Sequence, residues 1–316
     1  MSRPKILWFG IFAPHVKEMM REMAPEGFDL LFVNSKEDKE EHLRLLEQAD
    51  YIAPNGIKMT DEYIRAARHA KLIQLWGAGV DAYNQNVLRE MNIALQNGVG
   101  LNAPAVAEMV MLHVLVLNRH YRYVDSAVRS GKWVKNEMRD KCNSVYGKTV
   151  GLIGMGNIGR KVAQFMHGLD VDQVFYYDIW PLPDAEEKAL SVSFLEMDEI
   201  FRQSDIVSLH VPLTDATRKL VNRERLAMMK PSALLINTAR GGIVEEAALA
   251  DALRSGRLAG AMVDVFEKEP LPAGSPLADV PNCLLTPHIA GVTRESNVRV
   301  SAVVARKVAE CLRGAA

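Results

Sequence analysis

The chain has 316 residues and a mass of 35.1 kDa, room for about two domains, and its 38 basic against 39 acidic side chains leave a formal net charge of −1. With 48% hydrophobic and 24% charged residues it reads as a folded globular protein, neither disordered nor fibrous. The balanced charge argues against nucleic acid, whose binders carry a basic excess.

No apolar run approaches the roughly 18–20 residues of a membrane span, so no membrane partner is expected. The N-terminal run Ile6–Ala13 lacks the cleavage site of a secretory signal. Cys142, Cys283 and Cys311 are odd in number and far apart, which fits free thiols in a reducing cytoplasm. Without a CxxC or HxxxH pair, no metal site is expected.

Strand-like runs at Lys5–Phe9, Asp29–Val33, Tyr51–Ala53, Leu72–Trp76 and Ile93–Leu95 alternate with helical patterns such as Lys39–Gln48 and Asp61–His69. That alternation is the signature of βαβ units and a parallel sheet. Asn97-Gly98-Val99-Gly100 breaks the series. A long helical pattern follows from Pro104 to Val128, too apolar on most faces for a surface helix, and His113 and His120 within it read as packing residues. A second series has strands at Thr149–Ile153, Val174–Tyr177, Ile206–Leu209, Leu234–Asn237, Gly260–Val263 and Cys283–Leu285. Six strands are the count of a complete dinucleotide-binding Rossmann unit. A last helical stretch, Arg294–Leu312, lies beyond the final strand and is free to pack back on the first domain. The fold class read from this pattern is α/β, with two doubly wound parallel-sheet domains.

Gly154-Met155-Gly156-Asn157-Ile158-Gly159 follows a strand and opens a helix, the context in which a G-x-G-x-x-G carries meaning. Gly154 permits the tight turn, Gly156 lets the backbone approach a pyrophosphate, and Gly159 lets helix and strand pack closely. The helix N-terminus adds free amides and a favourable dipole for the dianion. Asp178 ends the next strand, 19 residues after Gly159, where an acid accepts hydrogen bonds from the adenosine ribose. Its carboxylate repels the 2′-phosphate of NADP, and Ile179-Trp180-Pro181-Leu182-Pro183 supplies no base, so NAD is favoured.

Three segments just past strands of the second series carry the chemistry. They hold Arg240 before Gly241-Gly242, Glu269 before Pro270, and His288 in Thr286-Pro287-His288. Singly, these could be a surface arginine, a loop acid and a core histidine. At three successive strand ends they read as a hydride-transfer site for a 2-keto acid: a cation for carboxylate and carbonyl, a proton donor for the developing alkoxide, and an acid that holds the donor. His210, in Leu209-His210-Val211, reads as a wall of the cofactor site.

The chain resembles the D-isomer-specific 2-hydroxyacid dehydrogenases along essentially its whole length. The resemblance rests on the glycine motif and Asp178, on His210-Val-Pro-Leu-Thr-Asp-Ala-Thr217, and on Met229 through Arg240-Gly-Gly. It extends to Asp264-Val-Phe-Glu-Lys-Glu269-Pro and Thr286-Pro-His288-Ile-Ala-Gly. Further upstream, Trp76-Gly-Ala-Gly79-Val-Asp81 and Asn102-Ala-Pro-Ala-Val-Ala-Glu108 match its substrate-loop and interdomain-helix motifs.

The resemblance implies a flavodoxin-like substrate domain of residues 1–100 plus 290–316 and a Rossmann NAD-binding domain of residues 101–289, with the active site in the cleft between them. In that reading Arg240 binds the substrate carboxylate and carbonyl, His288 exchanges the proton, and Glu269 orients the imidazole. Asp264 contacts the nicotinamide carboxamide. Val211, Pro212, Thr217, Thr238, Ala239, Ala290 and Gly291 line the cofactor site. Asn55 and the amides of Ala78, Gly79 and Val80 hold the substrate, and the family's habit is a homodimer joined through the cofactor domain.

Specificity is less legible. Ala53-Pro54-Asn55-Gly56 stands where phosphoglycerate-type members place arginines, with Lys58 the nearest base, which disfavours a phosphorylated substrate. Leu101 replaces the tyrosine of D-lactate-type members, and Trp76 begins the substrate loop. Trp76 and Leu101 read either as pocket surface or as core packing. Two functions remain open: an NAD-dependent reductase of small 2-keto acids such as glyoxylate or hydroxypyruvate, or an NAD(H)-sensing, corepressor-like interaction protein on the same fold.

Overall fold

The central strands of this protein are buried on both faces, which is why they read as continuous apolar runs instead of alternating ones. The computed structural model describes residues 3–12, 14–24, 26–34, 38–77, 79, 80 and 83–313, without the side chains of 305, 308, 309 and 311–313. The chain divides into two compact units, residues 1–102 with 292–316 and residues 103–291.

In the first unit β1 (Lys5–Gly10), β2 (Asp29–Val33), β3 (Tyr51–Asn55), β4 (Leu72–Gln74) and β5 (Ala94–Gln96) form a parallel sheet in the order β2-β1-β3-β4-β5. This is the flavodoxin-like order. Side chains alternate across it: Leu7, Phe9, Ile52 and Ile73 pack on one face. Ile6, Trp8, Tyr51 and Leu72 pack on the other, with Val300 and Val304 of helix Arg294–Arg313. β1 and β3 mark the switch point, where the chain leaves β1 toward β2 and returns on the opposite side. They approach so closely there that a Cβ on Gly10 would lie 2.0 Å from the Asn55 carbonyl oxygen.

The second unit holds β6 (Thr149–Ile153), β7 (Gln173–Tyr177), β8 (Ser193–Phe194), β9 (Ile206–Leu209), β10 (Leu234–Asn237), β11 (Gly260–Val263) and β12 (Cys283–Leu285). Their order, β12-β11-β10-β9-β6-β7-β8, is the doubly wound Rossmann arrangement with one added strand. The sheet therefore has seven strands, not six. β8 spans two residues, too short to leave a periodic signal.

The long helix expected over 104–128 is two helices, Ala103–Asn118 and Tyr121–Arg129. The Asn118 amide donates back to the Val114 carbonyl at 3.0 Å, and His120 turns the chain with a left-handed φ of 48°. His120 is thus exposed at the break, its Nε2 3.0 Å from the Lys141 carbonyl, and is not a packing residue. His113 is buried, with Nδ1 2.8 Å from the Met109 carbonyl. Among the described residues no helix is long and apolar enough to cross a membrane, and no cluster of three His, Cys, Asp or Glu is placed to hold a metal.

Candidate active site

The switch point of the second sheet lies between β6 and β9, and the glycine turn sits on it. Gly154 adopts φ +101° and donates its N–H to the Tyr177 carbonyl at 2.8 Å. Helix Asn157–His167 starts so close to this turn that a Cβ on Gly159 would lie 2.2 Å from the Gly154 carbonyl oxygen. Around Gly156 nothing comes within 4 Å of the corresponding point, so the backbone there is open to a ligand. Asp178 ties the turn down: Oδ2 accepts the Met155 N–H at 2.7 Å and Oδ1 the Trp180 N–H at 3.1 Å. Arg160 braces it from the helix, donating from Nε to the Met155 carbonyl at 3.1 Å and pairing with Glu186.

Beyond β10, Asn237 is fully buried and shapes the loop that carries Arg240. Its Oδ1 accepts the Ala239 N–H at 3.1 Å and its Nδ2 donates to the Arg240 carbonyl at 3.0 Å. The half-buried Arg240 donates from Nη1 to the Ala239 carbonyl at 2.7 Å. At Gly241 the loop presses against the next one: a Cβ would lie 1.8 Å from the Phe266 carbonyl carbon. The Phe266 N–H donates to Glu269 Oε1 at 3.0 Å, and Glu269 Oε2 lies 2.8 Å from His288 Nδ1. Backbone contact and hydrogen bonds thus run from the Arg240 loop through Phe266 and Glu269 to the imidazole.

His288 has φ +54°, a left-handed conformation that a side chain adopts only when its surroundings enforce it. Asp264 does much of the enforcing. Its carbonyl accepts the His288 N–H at 2.7 Å. Its carboxylate, 0% exposed, accepts the Thr286 hydroxyl at 2.6 Å and the amides of Ile289 and Ala290 at 2.9 and 2.8 Å. A buried carboxylate is tolerable only with such full hydrogen bonding. Thr286 and Asn237 carried no assigned role in the sequence; the signal available was their position at strand ends beside assigned residues.

At the end of β9, His210 is part-exposed as a residue, but both ring nitrogens are buried without a hydrogen-bond partner. Burial alone pushes this imidazole down to about 3 from its ordinary value, so it stays neutral. Thr238 Oγ1, one position beyond β10, is likewise buried and unpartnered. Val211 lies against the glycine turn, its Cγ1 3.0 Å from where a Gly154 Cβ would be. Thr217 Oγ1 donates to the Pro212 carbonyl at 2.6 Å and closes the turn between them. Ala239 and Ala290 are buried, and Gly291 ends the second unit. In the first unit Asn55 ends β3, and Gly79 and Val80 follow β4; Ala78 lies outside the described residues.

These residues fit a dinucleotide: an open helix N-terminus at Gly156, a carboxylate at the end of β7, and unsatisfied polar atoms at the ends of β9 and β10. A Rossmann sheet of this kind defines the class as dinucleotide-binding. The family model for "D-isomer specific 2-hydroxyacid dehydrogenase, NAD binding domain" matches residues 111–290. The chain is 36% identical to a glyoxylate reductase of Thermofilum pendens over 320 residues, covering 99% of this chain and 93% of that protein. It is 36% identical to a hydroxypyruvate reductase of Thermotoga maritima over 275 residues, covering 86% and 87%. A crystal structure of a protein from Thermus thermophilus superposes with a TM-score of 0.86 at 32% identity, covering 98% and 97% of the two chains. The chain belongs to the D-isomer-specific 2-hydroxyacid dehydrogenases. It is an NAD-dependent enzyme that interconverts 2-keto and 2-hydroxy acids.

Two expectations follow from this geometry. Asp264→Asn sets an amide against donors that require an acceptor; stability in urea should fall by about 1–3 kcal/mol and turnover should drop with it. Unaltered unfolding and turnover would show that the loop does not depend on the charge. For His210, an unfolded chain takes up a proton near pH 6.5 while the folded one does not until about 3, so stability falls as pH drops below 6.5. The contribution approaches about 1.4 kcal/mol per pH unit. Unfolding free energies between pH 7 and 5 should decline less steeply in His210→Leu, and equal slopes would refute the buried, neutral ring.

Proposed function

We propose that the enzyme reduces small 2-keto acids, foremost glyoxylate and hydroxypyruvate, to D-2-hydroxy acids with NADH. The observation that carries this reading is the 2.8 Å contact between His288 Nδ1 and Glu269 on the strand-end loop beside that of Arg240. The Glu269 carboxylate accepts the Nδ1 proton, which leaves Nε2 to face the substrate oxygen. Bound NADH supplies the hydride. As negative charge develops on the carbonyl oxygen, the His288 Nε2–H donates the proton, and Arg240 donates to that oxygen and to the carboxylate. The acid of Glu269 balances the imidazolium present before transfer, and in the oxidative direction Nε2 accepts the proton instead.

For the cofactor we assign the amides of Gly156, Asn157 and Ile158 to the pyrophosphate, the Met155 N–H being held by Asp178, and Asp178 to the adenosine ribose, which disfavours NADP. His210, Val211, Pro212, Thr217, Thr238, Ala239, Ala290 and Gly291 flank the cofactor, with any lone pair left on Asp264 available to the carboxamide. The N-terminal unit contributes Asn55 and the Gly79 and Val80 amides to the substrate. Unpaired thiols at Cys142 and Cys283 suit the cytoplasm.

We further assign a homodimer, on the apolar side chains that the second unit exposes. Leu112, Leu115, Tyr121, Tyr123, Val128 and Trp133 are 41–81% exposed on and after its two consecutive helices. Sedimentation should give twice 35.1 kDa, and Leu115→Glu should shift it toward monomer. A monomeric wild type would sink the assignment.

Steady-state oxidation of NADH and NADPH with a panel of 2-keto acids tests the function. Turnover should favour NADH, and His288→Ala should lower kcat by about 10²–10⁴-fold while NADH binding, followed by fluorescence, persists. Failure to turn over any 2-keto acid would overturn the reading, and retained kcat in His288→Ala would remove the proton-transfer role.

A further inference from the structure

Among the described residues of the first unit, the buried side-chain atoms that find no hydrogen-bond partner are Trp8 Nε1, Gln74 Oε1, Trp76 Nε1 and Ser301 Oγ. All four belong to one side of its sheet. Trp8 and Trp76 pack in the cluster that Val300 and Val304 join, Gln74 is two positions along β4 from Leu72 of that cluster, and Ser301 follows Val300. The register sharpens the grouping. Trp8 pairs with Ala53, and Ile52 pairs with Ile73, which sets Gln74 beside Ala53. Trp8 and Gln74 therefore flank a single methyl group. Trp76 lies beyond them toward the carboxyl edge, its ring centroid 6.2 Å from that of Trp8 and 5.7 Å from that of Phe12.

Native proteins leave few buried polar groups unsatisfied, and each one calls for an explanation. This group stands at the carboxyl ends of β1 and β4, beside the switch point where Gly10 meets Asn55, which is where an open α/β sheet receives a ligand. The chemistry narrows the ligand. An indole N–H only donates, an amide oxygen accepts, and a hydroxyl does both. Arg299, the guanidinium on the same helix as Ser301, spends Nε on the Leu101 carbonyl at 2.8 Å and Nη2 on Ser296 at 3.1 Å. A hydroxyl both donates and accepts, so it suits a set made of indole N–H donors and an amide-oxygen acceptor, whereas a methyl group leaves them unsatisfied.

We propose that Trp76, backed by Trp8 and Gln74, is the specificity-determining contact for a hydroxyl on the third carbon of the substrate. The enzyme then prefers a 3-hydroxylated 2-keto acid over pyruvate. This rests on the substrate role given above to Gly79 and Val80, which follow Trp76 in the chain.

The test compares kcat/KM for hydroxypyruvate and for pyruvate in the wild type and in Trp76→Phe, which keeps an aromatic ring against Trp8 and Phe12 but removes the N–H. The ratio of hydroxypyruvate to pyruvate should fall about tenfold in the variant. A second readout follows the indole N–H resonances of the four tryptophans in a ¹H–¹⁵N spectrum of the intact protein with NAD⁺. D-glycerate should move the Trp76 signal, and D-lactate should leave it in place. An unchanged ratio, or a Trp76 resonance that ignores D-glycerate, overturns the inference while turnover of pyruvate leaves the proposed function standing. A wild type that turns over glyoxylate but neither of these acids overturns the inference alone, and one that turns over no 2-keto acid removes the proposed function with it.

Discussion

A carboxylate can be kept from water only where hydrogen-bond donors replace the lost hydration, and at Asp264 the chain supplies three of them from one loop. The consequence runs outward from there. Because the amides of Ile289 and Ala290 turn inward to the anion, and the Asp264 carbonyl takes the His288 N–H, His288 is driven into a left-handed conformation and its ring is presented to Glu269. The position of the imidazole is therefore set by a buried charge on the neighbouring strand. A histidine on a loop would otherwise be free to wander, and here its backbone is fixed by charge-assisted bonds in a low-dielectric setting.

The second constraint is backbone proximity. Two parallel sheets each bring strands together at a switch point, and in both the approach is too close for a side chain. Gly10 against Asn55 marks it in the first unit and Gly154 against His210 in the second. The same economy of space at Gly241 presses the Arg240 loop onto the Phe266 backbone. Since Phe266 also donates its N–H to Glu269, the arginine and histidine loops share one rigid partner. Arg240 and His288 are thereby coupled through main-chain packing, which shifts much less than side chains do.

Strand placement and the glycine turn were legible because they depend on local periodicity and on residue types with few alternatives. The residues at the strand ends were also legible, since a parallel sheet gathers the carboxyl ends of its strands on one edge. What the pattern missed depends on contacts across strands. The helix break at His120 comes from the Asn118 side chain folding back on Val114, a competition that a hydrophobic pattern does not register. β8 is too short to leave a period. The commitment of Asp264 to the His288 loop became visible only once β11 and β12 were adjacent, because its partners lie 22–26 residues further along the chain. Trp76 remained ambiguous in sequence between pocket and core for a similar reason: its neighbours Trp8 and Phe12 are far away along the chain and close only in the folded sheet.

The charge balance closes the physical argument. Both NAD and a 2-keto acid are anions, and a protein with net charge −1 offers them no long-range attraction. Part of its basic complement is already matched by carboxylates, as in the pairs Arg160–Glu186, Arg225–Asp198 and Lys230–Asp205. Binding must then be carried by groups that act over a few ångströms, and those proposed above are the amides at the start of helix Asn157–His167 and the guanidinium of Arg240. Such groups attract weakly at a distance and strongly on contact, where water is excluded and the effective dielectric falls. His210 obeys the same logic in reverse. With its nitrogens buried and neutral, it adds no charge at the end of β9, in keeping with the proposal that the His288–Glu269 pair handles the proton.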